Sequence, residues 1–206
     1  MKKFELTTEF ITNFLGTKLF RIKALVEFGK VEKGELGGFV EKEENLDHDG
    51  DAWVSGDAMV YGNARVSGNA EVYGDAWVSG DAEVYGNARV YGDAMVYGNA
   101  RVSGNARVYG NAWVSGNARV SGDAWVSGDQ MYAAVKGFGS EYRNTTFFIT
   151  KDGNVCVNCG CFSGTLEQFR EKVEETHKDT KYAKEYLMIA DLMEMHFKEE
   201  LEKIKK

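Results

Sequence analysis

Proline is absent from all 206 residues of this chain, where ordinary usage of ~5% would place about ten. A chain without proline keeps every backbone N–H available for a hydrogen-bond ladder. Cysteine is scarce too, and three is an odd number that builds no disulfide framework, so a reducing cytoplasm is the expected compartment. No apolar run approaches the length of a membrane span, and no membrane role is expected. The opening MKKFELTTEF has two lysines but no apolar stretch behind them, so it does not read as a signal peptide. A net charge of −7 argues against general nucleic-acid binding, which needs a basic surface. Histidine is limited to His48, His177 and His196, which restricts acid–base and zinc chemistry.

What the chain has in excess is glycine, 24 residues of it, and the reason is a repeat. From Gly50 to Ser127 run thirteen uninterrupted copies of Gly-(Asp/Asn)-Ala-x-Val-(Ser/Tyr), and a fourteenth, Gly128 to Ala133, decays. A period of six does not fit a helical stripe at 3.6 and leaves room for one short strand per copy. Ala and Val are two apart and point to one side of that strand, while the residue between them points to the other. Gly permits the corner that follows, and Asp or Asn tolerates the same backbone region. Strand, corner, strand with a small-residue core describes a solenoid.

The pattern Val-x-Gly-(Asp/Asn)-Ala-x resembles the hexapeptide repeat of left-handed parallel β-helix proteins. The resemblance implies a mainly β fold in which three hexads form one triangular coil of eighteen residues. It also implies the left hand, which periodicity alone does not supply. Thirteen hexads then make slightly more than four coils, roughly 20 Å of stack at ~4.8 Å per coil.

Spacing of eighteen sorts the outward residues onto three faces. The first carries Trp53, Glu71, Arg89, Arg107 and Trp125; the second Met59, Trp77, Met95, Trp113 and Met131; the third Arg65, Glu83, Arg101 and Arg119. The second is uncharged at this position, and its next outward residues run Tyr61, Ser79, Tyr97, Ser115, so large alternates with small. Such an apolar stripe marks an interface, and hexapeptide-repeat proteins are commonly homotrimers. Met59, Tyr61, Trp77, Met95, Tyr97, Trp113 and Met131 are therefore the expected contacts between copies, unless the flanking domains fold back over this face. On the other two faces Arg89, Arg107, Arg101 and Arg119, with Tyr91, Tyr109 and Trp125, offer guanidinium forks beside aromatic surfaces. They are the candidate ligand-binding residues; a plain solvated surface is the alternative. The corner line Asp57, Asp75, Asp93, Asn111 and Asp129 is read as turn formers ahead of a cation site.

Residues 1–49 read as a β-rich cap, 50–133 as the β-helix and 134–206 as a C-terminal ββαα domain. In the cap, Val40 and Leu46 keep hexad spacing, as a first irregular coil with a two-residue slip would. In the C-terminal part, Thr145 to Thr150 and Val155 to Cys159 flank the turn KDGN. Thr165 with Gln168 forms a capping box, and a second helix runs from about Thr180 to Lys203. CVNCGC invites a metal reading with His177, but Cys156 and Cys159 should face opposite sides of a strand, so no metal or other cofactor is expected.

Acyltransferases of the hexapeptide-repeat family use a histidine base near the coils, and its carbonic anhydrases hold zinc with three. No histidine lies between His48 and His177, so no enzyme is expected. LGGFVEKEENL, CGCFSGTLEQF and THKDTKYAKEY, with the hexads between, resemble hexapeptide-repeat proteins encoded by phages and prophages. That resemblance implies a cytoplasmic trimeric binding protein in the host cell, acting on a defence protein or sequestering a nucleotide signal. A structural spacer or virion accessory is the alternative, and an acyltransferase the weaker one.

Overall fold

The computed structural model describes residues 1–204; the last two positions of the 134–206 segment lie outside them. The repeat alanines and valines from Ala52 to Val126 form its spine, and none exposes more than 1% of its surface. Each hexad contributes one short parallel strand, and the strands stack into three sheets. One sheet stacks Trp53–Val54, Glu71–Gly74, Arg89–Gly92, Arg107–Val108 and Trp125–Val126. The second stacks Met59–Val60, Trp77–Val78, Met95–Val96 and Trp113–Val114. The third holds Arg65–Val66, Glu83–Val84, Arg101–Val102 and Arg119–Val120. Pairs such as Arg89 with Arg107 and Val90 with Val108 fix eighteen residues per coil, and the result is a parallel β-solenoid of about five turns.

Outward and corner N–H groups of each coil donate to carbonyls of the next, as in Arg65 N to Ala82 O (2.9 Å) and Ser67 N to Val84 O (3.0 Å), and the parallel register of the strands returns bonds in the opposite direction. Corners obey a separate constraint. Gly80 has φ +71°, and a Cβ there would lie 2.9 Å from the backbone N of Gly98 in the next coil, so both the turn and the stacking need glycine.

Polar and aromatic side chains repeat in register outside the backbone. Asn69 donates to Asn87 (3.1 Å), Asn87 to Asn105 (3.2 Å) and Asn105 to Asp123 (3.1 Å) along one corner. Tyr73, Tyr91 and Tyr109 stack at centroid spacings of 4.8 and 5.0 Å with interplanar angles of 3° and 7°.

A polar ladder must be finished at both ends. At the first coil Glu41 Oε2 accepts from Gly62 N (2.6 Å), and side-chain donors reach the carbonyls. Lys3 Nζ donates to Gly50 O (3.2 Å) and Ala52 O (2.9 Å), and Asn45 Nδ2 to Gly62 O (3.1 Å) and Ala64 O (2.8 Å). At the last coil Asp129 takes Trp113 N (2.9 Å) and Thr146 Oγ1 takes Arg119 N (3.0 Å), while Asn144 Nδ2 donates to Asn117 O (3.1 Å) and Asn158 Nδ2 to Arg119 O (2.9 Å). Burial depresses the Lys3 ammonium pKa despite nearby Asp47, Asp51 and Asp49.

The N-terminal cap is an antiparallel hairpin, Phe4–Thr12 and Lys18–Ala24, turned at Gly16. It joins the second sheet through Leu36–Val40. Val40 pairs with Val60 and Leu46 bridges Val66, an offset two residues longer than in the regular coils. Leu36–Val40 thus lies within the solenoid sheet.

Beyond the last coil comes a four-stranded antiparallel meander: Tyr132–Val135, Thr145–Ile149, Val155–Cys159 and Phe162–Thr165. Two of these strands add to the ββαα expectation. Tyr132–Val135 lies where the decaying hexad runs out, and Phe162–Thr165 is four residues with a glycine, ending at the helix cap. Helices α1 (Leu166–His177) and α2 (Lys181–Ile204) complete the domain. Thr165 and Gln168 form the capping box. Thr145–Ile149 is buried along its whole length: Thr146 meets the solenoid end, while Phe147 packs edge-on against Phe169 of α1 (6.0 Å).

Replacing Val90 with Asp places an unpaired charge in a fully buried position. The expected cost is more than about 4 kcal/mol, seen by circular dichroism as loss of the cooperative melt, whereas exposed Tyr85→Ser should leave the melt nearly unchanged. The tyrosine stack gives a pH prediction. Desolvation holds the Tyr73 and Tyr109 hydroxyls above their ordinary 10.0, so the folded chain binds these protons more tightly than the unfolded one. Their stabilisation is complete below about pH 10 and is lost as pH rises through the raised folded values. Melting temperature should fall above about pH 10, and the double variant Tyr73→Phe, Tyr109→Phe should show a shallower fall than wild type.

Candidate functional site

The three faces differ in what covers them. On the third, Arg101 Nε lies 3.1 Å from Glu83 Oε2. Arg119 is tied to the C-terminal domain, its guanidinium donating to Gly160 O at 3.0 Å. These two candidate ligand residues stand apart from Arg89 and Arg107, on a different sheet, with their guanidiniums already engaged.

On the second face the N-terminal hairpin folds back over the lower rungs. Tyr61 is buried with Leu19 and Phe39, with Ile11 and Met59 packed around them, and Phe14 at the hairpin tip stacks on Trp77 at 5.7 Å and 18°. Tyr61 is therefore not available to another copy, because its own chain covers it. Met131 also leaves the face. It ends a short 3-10 turn, Asp129–Met131, is buried at the junction with the C-terminal domain, and accepts a bond from Ser127 Oγ (2.8 Å). Its hexad has decayed, so register no longer carries it outward. Met95, Tyr97 and Trp113 remain in place; Tyr97 and Trp113 are exposed, as are Phe14 and Leu15 beside them.

The first face holds a cleft of about 840 Å³. Its floor is the outward row Trp53, Glu71, Arg89, Arg107, Trp125, and the asparagine ladder forms one edge. The cap loop, with Gly29, Lys30 and Val31, closes one end, and Lys151 of the C-terminal domain stands at the other. Trp53 is almost wholly buried under Phe4 and Phe28. Trp125 is half-buried, and the indole N–H of each tryptophan has no hydrogen-bond partner.

Charges in the cleft are mixed. Glu71 Oε2 pairs with Arg89 Nε at 3.1 Å. Arg107 is exposed, and among the described residues no carboxylate lies within ion-pair distance of it. Lys30 and Lys151 bring two further cations from outside the solenoid. The structure thus brings Arg89, Arg107 and Trp125 together in one cleft. Tyr91 and Tyr109 sit in the aromatic stack beside it, of which only Tyr73 reaches the lining. Lys30 and Lys151 had no signal in the sequence, since they reach the cleft only through the folding of the two flanking segments.

The cysteines lie outside the cleft. Cys156 and Cys159 are on Val155–Cys159 and Cys161 is in the following turn, all as free thiols. Burial pushes the Cys156 thiol up, and Cys159 Sγ accepts from Thr145 Oγ1 at 3.2 Å. His48 stacks on Phe4 (4.5 Å), and His177 and His196 are on the helices.

A family model described as the YdcK β-solenoid repeat matches the chain in five segments: 52–68, 64–80, 82–98, 100–116 and 114–128. No curated protein matches the chain. The matched segments fall on the stacked parallel rungs of all three sheets, and on both grounds this chain is a β-solenoid repeat protein, similar in its coils to the YdcK repeat.

Proposed function

We propose that this chain is a non-catalytic binding protein that holds a small anionic ligand in the first-face cleft. The observation that carries the reading is the cleft itself: concave, walled at its ends by both flanking domains, with the unpaired Arg107 guanidinium on its floor. Its volume is in the range of small-molecule sites, about 300–1,000 Å³, which favours a nucleotide-type signal over a host defence protein as the thing bound. None of the three histidines lines the cleft, so the reading assigns it no imidazole base. The likeness to phage-encoded hexapeptide-repeat proteins supports counter-defence in the cytoplasm of a host cell as the setting.

Association belongs to the same reading. Three copies packed through Trp77, Met95, Tyr97 and Trp113 would bury the exposed part of the second face and leave the cleft open, since it lies on another sheet. The competing role as a rigid spacer needs no cleft ligand and requires the protein to be part of purified virions.

Calorimetric titration with inorganic pyrophosphate tests the cleft. Arg107→Glu, an exposed change on the outer row, should weaken pyrophosphate binding by about tenfold or more; equal binding by both proteins would overturn the assignment. For association, wild type should have the mass of three chains in solution, and Trp77→Arg with Trp113→Arg should reduce it to one while the melt stays cooperative. An unchanged mass would remove the second face as the contact.

A further inference from the structure

We infer that the cleft takes a planar aromatic ring as a fourth rung of the tyrosine stack, seated on Tyr73 above Ser55, with the ligand's anionic group directed toward Arg107. The inference rests on the first-face cleft being a ligand site and adds the chemistry of what fills it.

The stack is finished at one end and open at the other. Beyond Tyr109 the ring of Trp125 follows at 6.3 Å and 38°. Below Tyr73 the register pairs Trp53 with Glu71 and Val54 with Val72, which sets Ser55 where the next tyrosine would be. The row therefore lacks one ring at the coil spacing that Tyr73 and Tyr91 keep at 4.8 Å. Ser55 and Tyr73 both line the cleft, while Tyr91 and Tyr109 do not, so the vacant rung opens onto the ligand space. Every coil tryptophan is followed two residues later by serine: Ser55, Ser79, Ser115 and Ser127. On the second face an outward coil ring is covered by a ring from elsewhere in the chain, Phe14 on Trp77.

Ring stacking on tyrosine is tolerant of ring identity, so the polar end of the ligand must supply direction. Lys30 stands at the Ser55 end of the cleft. Arg107 lies three coils from Ser55 along the first sheet, or roughly 14 Å at ~4.8 Å per coil. A flat heterocycle joined through a sugar-sized tether to one or two phosphates fits that separation. The balance of carboxylates and cations in the lining, with Glu35, Asp51 and Asp123 among the former, favours a modest charge over a long polyphosphate.

The test compares ADP with inorganic pyrophosphate by calorimetry, in the wild type and in Ser55→Tyr, which fills the rung with the protein's own ring. In the wild type ADP should bind about tenfold more tightly than pyrophosphate. In Ser55→Tyr that preference should vanish while pyrophosphate binding stays as it was. Ser55→Leu, a smaller filler, serves if the tyrosine beside Trp53 prevents folding, and should erase the preference equally. Equal affinity of the wild type for ADP and pyrophosphate would overturn the slot and leave the cleft reading standing, as would an ADP preference that survives both fillings. Binding of neither compound would overturn both.

Discussion

The backbone hydrogen-bond ladder of this solenoid runs from coil to coil and stops at each end. The first and last coils are therefore both left with N–H and C=O groups that no further coil pairs. An unpaired buried backbone group costs as much as a lost hydrogen bond or more, and neither end can be left to chance. Each end therefore needs both donors and acceptors. Lys3 and Asn45 bring donors and Glu41 an acceptor to the first coil, and Asp129 and Thr146 bring acceptors and Asn144 and Asn158 donors to the last. The flanking segments are thus the terminators of the ladder as well as domains in their own right. Lys3 remains buried even though burial lowers its pKa, because its Nζ serves two carbonyls at once.

With its interior fixed as alanine and valine, the repeat has freedom only at its outward positions and corners. Register then turns every choice into a ladder. Asparagine at one corner becomes a chain of amide bonds, tyrosine a stack of rings, and glutamate below arginine an ion pair. A position that breaks its ladder has a meaning a lone surface residue lacks. Arg107 has arginine and tryptophan as its register neighbours and, among the described residues, no carboxylate within ion-pair distance, and Ser55 interrupts the tyrosines.

A solenoid with its alanines and valines on one side of each strand was legible from the period of six, and the resemblance to the hexapeptide repeat added the coil of eighteen and with it the three faces. The capping box at Thr165 and the hairpin around KDGN were legible from local chemistry. Less visible were the contacts made by irregular segments. Nothing local to FELTTEFIT says that its hairpin lies against Tyr61, since that cover depends on an offset two residues longer than the regular coil. Met131 looked like a fifth member of its row by count, yet its hexad has Gln130 and Tyr132 where the alanine and valine would stand, and its Gly128 is extended (φ −172°) instead of making the corner. Tyr132–Val135 and Phe162–Thr165 were missed because four-residue strands beside a repeat and beside a helix cap carry little periodicity of their own. The arginines were placed on their faces by spacing, but only the folded chain separates Arg101 and Arg119, already engaged, from Arg107.

The cleft follows from the mismatch between a flat solenoid face and the end domains that must be wider than it. A triangular stack of short strands presents smooth walls, poor at enclosing anything. Terminators that reach over the core to cap its ladder extend beyond the outline of the coil. Where the cap loop at Lys30 and the C-terminal Lys151 both overhang the first face, the wall between them becomes the floor of a recess. The length of that recess is then set by the number of coils separating the two overhangs. Adding or deleting one coil of eighteen residues would move Lys30 and Lys151 apart or together by about 4.8 Å while leaving every core contact in place. A near-identical repeat is well suited to such a change. The ligand length that the proposed cleft site would accept is therefore coupled to repeat number and not to the identity of any one core residue.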